Sequence, residues 1–236
     1  MKVNCLNFST SKNSCYSFLY GSELVIKQDI ADQILQSLKL AGFNDKVSLH
    51  QDELDKAEEI ISRNVGGSLF QEKLILHLKH TSGKFPEKIK MILENQHLYN
   101  SDNLALIVES SIEKTPASGA WIKYIDEKGL IVNCSKLKTN EEKIWLKRQL
   151  EFLPKSLLPM FGGSIFQNNE GNLLGQMNEV RLLKLLFNAK QEIDETETTN
   201  IVFHSGLSAF ELEDVIIDRK FEKVLQTINF LKEHDS

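Results

Sequence analysis

The sequence predicts an α/β domain with a mostly parallel sheet, followed by an all-α domain. Three observations carry that expectation. Short apolar runs alternate with amphipathic helical stretches from the N-terminus to about residue 137. One of these runs, "NLALIVES", is apolar almost without a break, the pattern of a strand covered on both faces. After about Lys138 the strand-like runs stop and only helical patterns follow.

The elements can be justified in order. "CYSFLY", from Cys15 to Tyr20, is a short apolar and aromatic run that stops at Gly21, and reads as a buried strand. In "SELVIKQDIADQILQSLKLAG", Leu24, Ile30, Ile34, Leu35 and Leu38 fall close to helical spacing; Ser22 can cap the start and Gly42 ends the helix. "KVSLH" fits a second strand. "QDELDKAEEIISRN" is helical, with charges outward and Leu54, Ala57, Ile60 and Ile61 inward. "EKLILHLK" alternates as a strand does. "FPEKIKMILENQ" is helical, with Pro86 near its start, where a first-turn proline is tolerated. "NLALIVES" is the next strand, "SGAWIKYIDEKG" a helix and "GLIVNC" a strand.

Beyond them, "NEEKIWLKRQLEFL", "PKSLLPMFGGSIFQ" and "NLLGQMNEVRLLKLLFNAK" read as helices. "EIDETETTN" is a polar, acidic connector, and "LSAFELEDVIIDRKFEKVLQTINFLKEHDS" reads as two further short helices. The expected organisation is an α/β domain over 1–137, a helical domain over 138–207 and a third helical segment over 208–236. No internal repeat or low-complexity tract is present.

Composition narrows the function classes. A chain of 236 residues suits one large domain or two ordinary ones, and can bury a core without disulfides or metals. The net charge of −5 argues against a broad basic surface that holds DNA by itself. Three cysteines, Cys5, Cys15 and Cys134, without C-x-x-C spacing form neither a disulfide framework nor a zinc site; thiols in a reducing cytosol are expected. "MKVNCLNFSTSKNSC" has no apolar core of a secretory signal. Apolar runs such as "LALIV" fall far short of the roughly 20 residues of a membrane span. A soluble, cytoplasmic protein is expected.

Catalytic constellations are weak. A strand, a glycine turn and a helix form the geometry of a phosphate-binding loop, here in "LYGSELVIKQD". A working loop needs G-x-x-x-x-G-K-[ST], because backbone amides wrap the phosphates, the lysine reaches them and the hydroxyl binds magnesium. None of that follows Gly21, and Glu23 would repel a phosphate. The pattern is that of a nucleotide-binding domain without its nucleotide site. Glu109, at the end of "NLALIVES", is either a magnesium-side carboxylate or a solvated strand end, and the second is favoured. His77 and His80 point to opposite faces of a strand, which disfavours a metal pair. The carboxylates of "DELDKAEE" read as a solvated helix face. No G-x-S-x-G and no Cys–His pairing occur. Lys143, Lys147 and Arg148 cluster beside Trp145, as a solvated helix face or a small DNA contact.

One stretch stands out. "VGGSLFQEKLILHL" puts Leu69 and Phe70 side by side in a glycine turn before a strand. Such a pair either folds back into its own core or stands out for a partner's pocket. On the residues alone, the core is favoured.

Four stretches, "FLYGSELVIKQDIADQI", "SLFQEKLILHL", "SGAWIKYI" and "EGNLLGQMNEVRLLKLL", the last with "LSAFELEDVI" after it, make the chain resemble the delta subunit of the bacterial DNA polymerase III clamp loader. The resemblance runs from about Tyr16 to His234. It implies an AAA+-like α/β domain, a helical lid domain and a C-terminal helical collar. It implies a non-catalytic subunit that needs no cofactor and binds and opens the β sliding clamp, while ATP is hydrolysed by the gamma/tau subunits. The gamma/tau and delta-prime subunits are implied partners, and primer-template DNA is met through the assembly. In the family the clamp contact is a leucine–phenylalanine pair after a short turn, which carries over to Leu69 and Phe70 with Ser68 before them. The resemblance reverses the preference for the core. Gly66 and Gly67 would let the turn present the pair. Many clamp-binding peptides begin with glutamine; the equivalent place here is near Val65. The chain stops at Ser236, after what reads as the collar's first helices, so most of the collar is expected to be missing. An active P-loop ATPase and a generic DNA-binding adaptor are the alternatives.

Overall fold

The computed structural model describes residues 2–8, 14–65, 73–95, 101–115 and 119–189. The chain divides into two compact units, Met1–Lys138 and Thr139–Ser236. The expected segment over 208–236 lies outside the described residues.

The first unit is a six-stranded sheet in which every pairing is parallel. Its strands are β1 (Lys2–Asn4), β2 (Tyr16–Tyr20), β3 (Asp45–His50), β4 (Leu74–His80), β5 (Leu104–Ser110) and β6 (Leu130–Asn133), in the order β1-β6-β2-β5-β4-β3. Four helices connect them: α1 (Leu24–Leu40), α2 (Asp55–Val65), α3 (Glu87–Glu94) and α4 (Ala120–Lys128). β5 lies between β2 and β4, and Leu104 to Val108 are all fully buried. That is why its sequence shows no alternation.

One sheet face carries Phe18, Leu76, Leu78, Leu106, Val108 and Ile131 and packs on α2, α3 and α4. Phe18 meets Phe85 and Trp121 edge-on at 5.8 and 5.3 Å, while Phe85 and Trp121 stack at 5.1 Å. The other face lies against α1, where Ser17 and Leu130 share a crevice with Ile34 and Leu38.

Two expectations about α1 need correction. Ser22 does not cap it: the helix starts at Leu24, Glu23 holds the cap position, and no side chain caps there. Leu24 is not a core residue but is 69% exposed, and Ile26 is buried instead. The helix ends as expected at Gly42, whose positive φ of 91° lets its amide reach Lys39 and the next amide, of Phe43, reach Leu38. Phe43, at 2% exposure, follows into the core.

The described part of the second unit is helical: α5 (Thr139–Gln149), α6 (Leu158–Asn168) and α7 (Leu173–Ala189). Trp145, Phe161, Ile165, Val180 and Leu183 are buried there. So is a polar pair. Glu142 accepts hydrogen bonds from the Gly171 amide at 2.8 Å and from the Gln176 side chain, which also donates to the Asn169 carbonyl at 2.9 Å. Gly171 sits at φ 76°, and the Asn172 side chain caps α7 by accepting from the Gly175 amide. The stretch "EGNLLGQMNEV" is therefore built around one buried carboxylate. Glu142→Ala would strand the Gln176 amide and the Gly171 N–H. It is expected to destabilise the unit by about 2–3 kcal/mol, read by thermal or urea unfolding.

Candidate functional site

Two places are candidates: the sheet edge where the strands end, and the turn between α2 and β4 at the edge where they begin. At the first, open α/β sheets bind their ligands. Here the turn after β2 is tied to the end of β6. The Cys134 amide donates to Tyr20 and the Glu23 amide donates to the Cys134 carbonyl, at 2.6 and 2.9 Å. Gly21 has φ 125°, and a Cβ on it would lie 2.4 Å from the Cys134 carbonyl carbon and oxygen. Its glycine thus serves a close approach of backbone to backbone. A phosphate cradle needs amides aimed at the ligand, and the Glu23 amide is already committed.

The nearest lysine is committed as well. Lys27 is 3% exposed and its Nζ donates to the Ser110 carbonyl at 3.1 Å. Burial pulls its pKa below the ordinary lysine value, opposed by Glu109 and weaker neighbours. Lys27 went unremarked in the sequence, although it lies on the buried stripe of α1 with Ala31, Ile34 and Leu38. A lysine at that spacing was the available signal.

Glu109 is not a solvated strand end. Its carboxylate contacts His77 Nε2 at 2.6 Å, and the side chains are 19% and 3% exposed. His80 turns to the other face, where its ring meets Ser110 Oγ at 2.9 Å and Phe85 edge-on. The two histidines therefore serve separate contacts. Among the described residues, no three His, Cys, Asp or Glu side chains are placed to hold a metal ion. Burial pushes the Glu109 carboxyl up, but the bond from His77 and the charges of His77, Lys79 and Lys27 hold it below the ordinary glutamate value. A carboxylate depressed in the folded state stabilises the fold above its unfolded pKa, about 4.3, and loses that contribution as pH falls through the folded value. Glu109→Gln is therefore expected to flatten the acid limb of the stability curve below about pH 4.5, measured by urea unfolding across pH.

The second candidate is the turn. Ser68, Leu69 and Phe70, with Gly66 and Gly67, lie outside the described residues. Its two anchors are described. α2 delivers the chain at Val65, with Leu54, Ala57 and Ile61 buried beneath it. On the far side Lys73 donates to the Ala41 carbonyl at 3.1 Å and stands over the Phe43 ring at 5.2 Å. The Leu74 amide donates to Asn103 at 2.9 Å and opens the β4 ladder. A turn held at both ends can present side chains at low entropic cost. In the second unit, Trp145 beside Lys143, Lys147 and Arg148 is 4% exposed, so its ring offers no stacking platform.

Comparison with known proteins decides between readings of this frame. A family model described as DNA polymerase III, delta subunit, matches residues 17–135, half of the chain. The chain belongs to that family. This delta-family chain is thereby a clamp-loader component with a role in DNA replication. The Bacillus subtilis DNA clamp loader delta protein has a similar fold, with TM-score 0.58 and 16% identity over 94% of this chain and 68% of that one. AMPPCP-bound DnaA from Aquifex aeolicus is a looser likeness, at TM-score 0.43 and 16% identity over 90% of this chain and 64% of that one. No curated protein sequence matches the chain. The architecture is an AAA+-like parallel sheet followed by a helical region. Among the described residues no helix is long and apolar enough to cross a membrane.

Proposed function

We propose that this delta-family chain is a non-catalytic subunit that binds the β sliding clamp through Leu69 and Phe70 and helps open it for loading onto primed DNA. The observation that carries the proposal is the family match, which runs through the α2–β4 turn holding this pair. Ser68 precedes the pair and would set its approach. The gamma/tau and delta-prime subunits are the proposed neighbours, primer-template DNA is met through the assembly, and the work is done in the cytoplasm. The committed Glu23 amide and buried Lys27 fit a subunit that leaves ATP chemistry to others. Two apolar side chains desolvated in a partner pocket contribute about 1.5–3 kcal/mol each, enough to act as the anchors of an interface.

The test is binding of the intact chain to the β clamp of the same organism, with a parallel titration of ATP. Clamp binding without ATP binding is expected. ATP binding in the absence of other subunits would favour the ATPase alternative. Lys73→Ala adds a finer check. It removes the ammonium that ties the exit of the turn to Ala41 and Phe43. Clamp affinity is expected to fall by about 3- to 10-fold, or about 0.7–1.4 kcal/mol, with little change in melting temperature.

A further inference from the structure

The second unit carries an apolar groove that the clamp-binding proposal does not use. It lies between α5 and α6 and encloses about 780 Å³. Leu150, Leu158 and Phe166 line its apolar part, and Lys143, Lys147 and Lys155 stand among them. Lys143 Nζ sits 4.7 Å from the centre of the Phe166 ring. No carboxylate lines the groove. It therefore suits an apolar ligand that carries negative charge, and excludes a basic one.

The same chain holds a segment of that chemistry. After Ala189, where α7 ends, 47 residues remain. Between 191 and 218 there are eight carboxylates and no lysine or arginine. The stretch 207–218, "LSAFELEDVIID", interleaves Leu207, Phe210, Leu212, Val215, Ile216 and Ile217 with Glu211, Glu213, Asp214 and Asp218. Reach is not a constraint. Phe187 near the end of α7 packs edge-on against Phe152 and Phe161, so the chain leaves the bundle close to the α5–α6 connection. The 18 residues from Ala189 to Leu207 span up to about 60 Å when extended, whereas the eleven residues of α6 measure about 16 Å.

We propose that residues 207–218 dock in cis into the α5–α6 groove, with their apolar side chains on Leu150, Leu158 and Phe166 and their carboxylates against Lys143, Lys147 and Lys155. The tether raises the local concentration of this ligand to about the millimolar range, so modest affinity keeps the groove filled. The groove then becomes a regulated surface. Any acidic apolar partner segment, or an anionic backbone drawn to the three lysines, must first displace 207–218.

The test uses the full chain with a photo-crosslinking benzoylphenylalanine in place of Gln167, at the edge of the groove. Crosslinks mapped by mass spectrometry are expected within one chain, on residues 207–218, at a yield unchanged by tenfold dilution. Lys147→Glu/Lys155→Glu is expected to lower that yield at least tenfold. Adding Glu211→Lys/Glu213→Lys/Asp214→Lys is expected to restore it. Both lysines line the groove, so these variants should keep the melting temperature of the parent. Crosslinks formed only between chains would assign the groove to a second copy and overturn the proposal. Crosslinks elsewhere in the chain, a yield indifferent to charge reversal, or no crosslink in a folded protein would overturn it too.

Discussion

Replacing Leu69 and Phe70 together with alanine is expected to weaken β-clamp binding by about 100- to 10,000-fold, or roughly 3–6 kcal/mol, while leaving the fold intact. The argument is one of alternatives with opposite signatures. If the pair fills a partner pocket, truncation removes binding free energy and the isolated chain does not register it. If the pair instead fills its own core, each truncation costs about 2–5 kcal/mol of folding stability, and the melting temperature falls by many degrees. Calorimetry on the variant, beside a clamp-binding titration, separates the two. Lost binding at unchanged melting temperature supports the plug. A lower melting temperature with binding kept among the folded molecules returns both residues to the core.

Gly21→Ala should produce the largest loss of stability among single small substitutions in the α/β unit, on the order of 3 kcal/mol or more. The added methyl would lie 2.4–2.5 Å from three backbone atoms of Cys134 and Ser135, none of which can rotate away. The backbone there is also in a region closed to most side chains. Gly83 provides the control. Its φ is likewise positive, at 83°, but nothing lies within 4 Å of an added Cβ. Gly83→Ala should cost only about 1–2 kcal/mol, the conformational part alone. Equal losses in urea unfolding would show that the junction with β6 yields, and that Gly21 is held by conformation instead of contact.

How much of this was legible in the sequence can be read element by element. β5 announced itself because a central parallel strand has no polar face to break the run. α2 did so through Leu54, Ala57, Ile60 and Ile61. β1 was missed: it is three residues, Lys2–Asn4, and only its pairing with β6 makes it a strand. Ser22 was the better cap by residue type, but the Glu23 amide is held by Cys134 and the helix begins one residue later than such a cap would require. Glu109 and Glu142 both looked like solvated acids. Their partners His77 and Gln176 lie 32 and 34 residues away, beyond any local spacing rule. Leu69 and Phe70 pose a harder problem, since an apolar pair has the same pattern whether it is bound for a core or for a partner. There the family resemblance carried the reading, and periodicity could not.

The pairing of β2 with β6 has a consequence for synthesis. Ser17 lies opposite Leu130, 113 residues later in the chain. At ribosomal rates of about 5–20 residues per second, β2 waits roughly 6–20 s for that neighbour. During this interval its apolar edge has no strand beside it, since β5 also comes late. Newly made chains are thus most prone to aggregate before residue 133 emerges, and slow translation of the first unit should lower soluble yield even though the finished sheet has no such weakness.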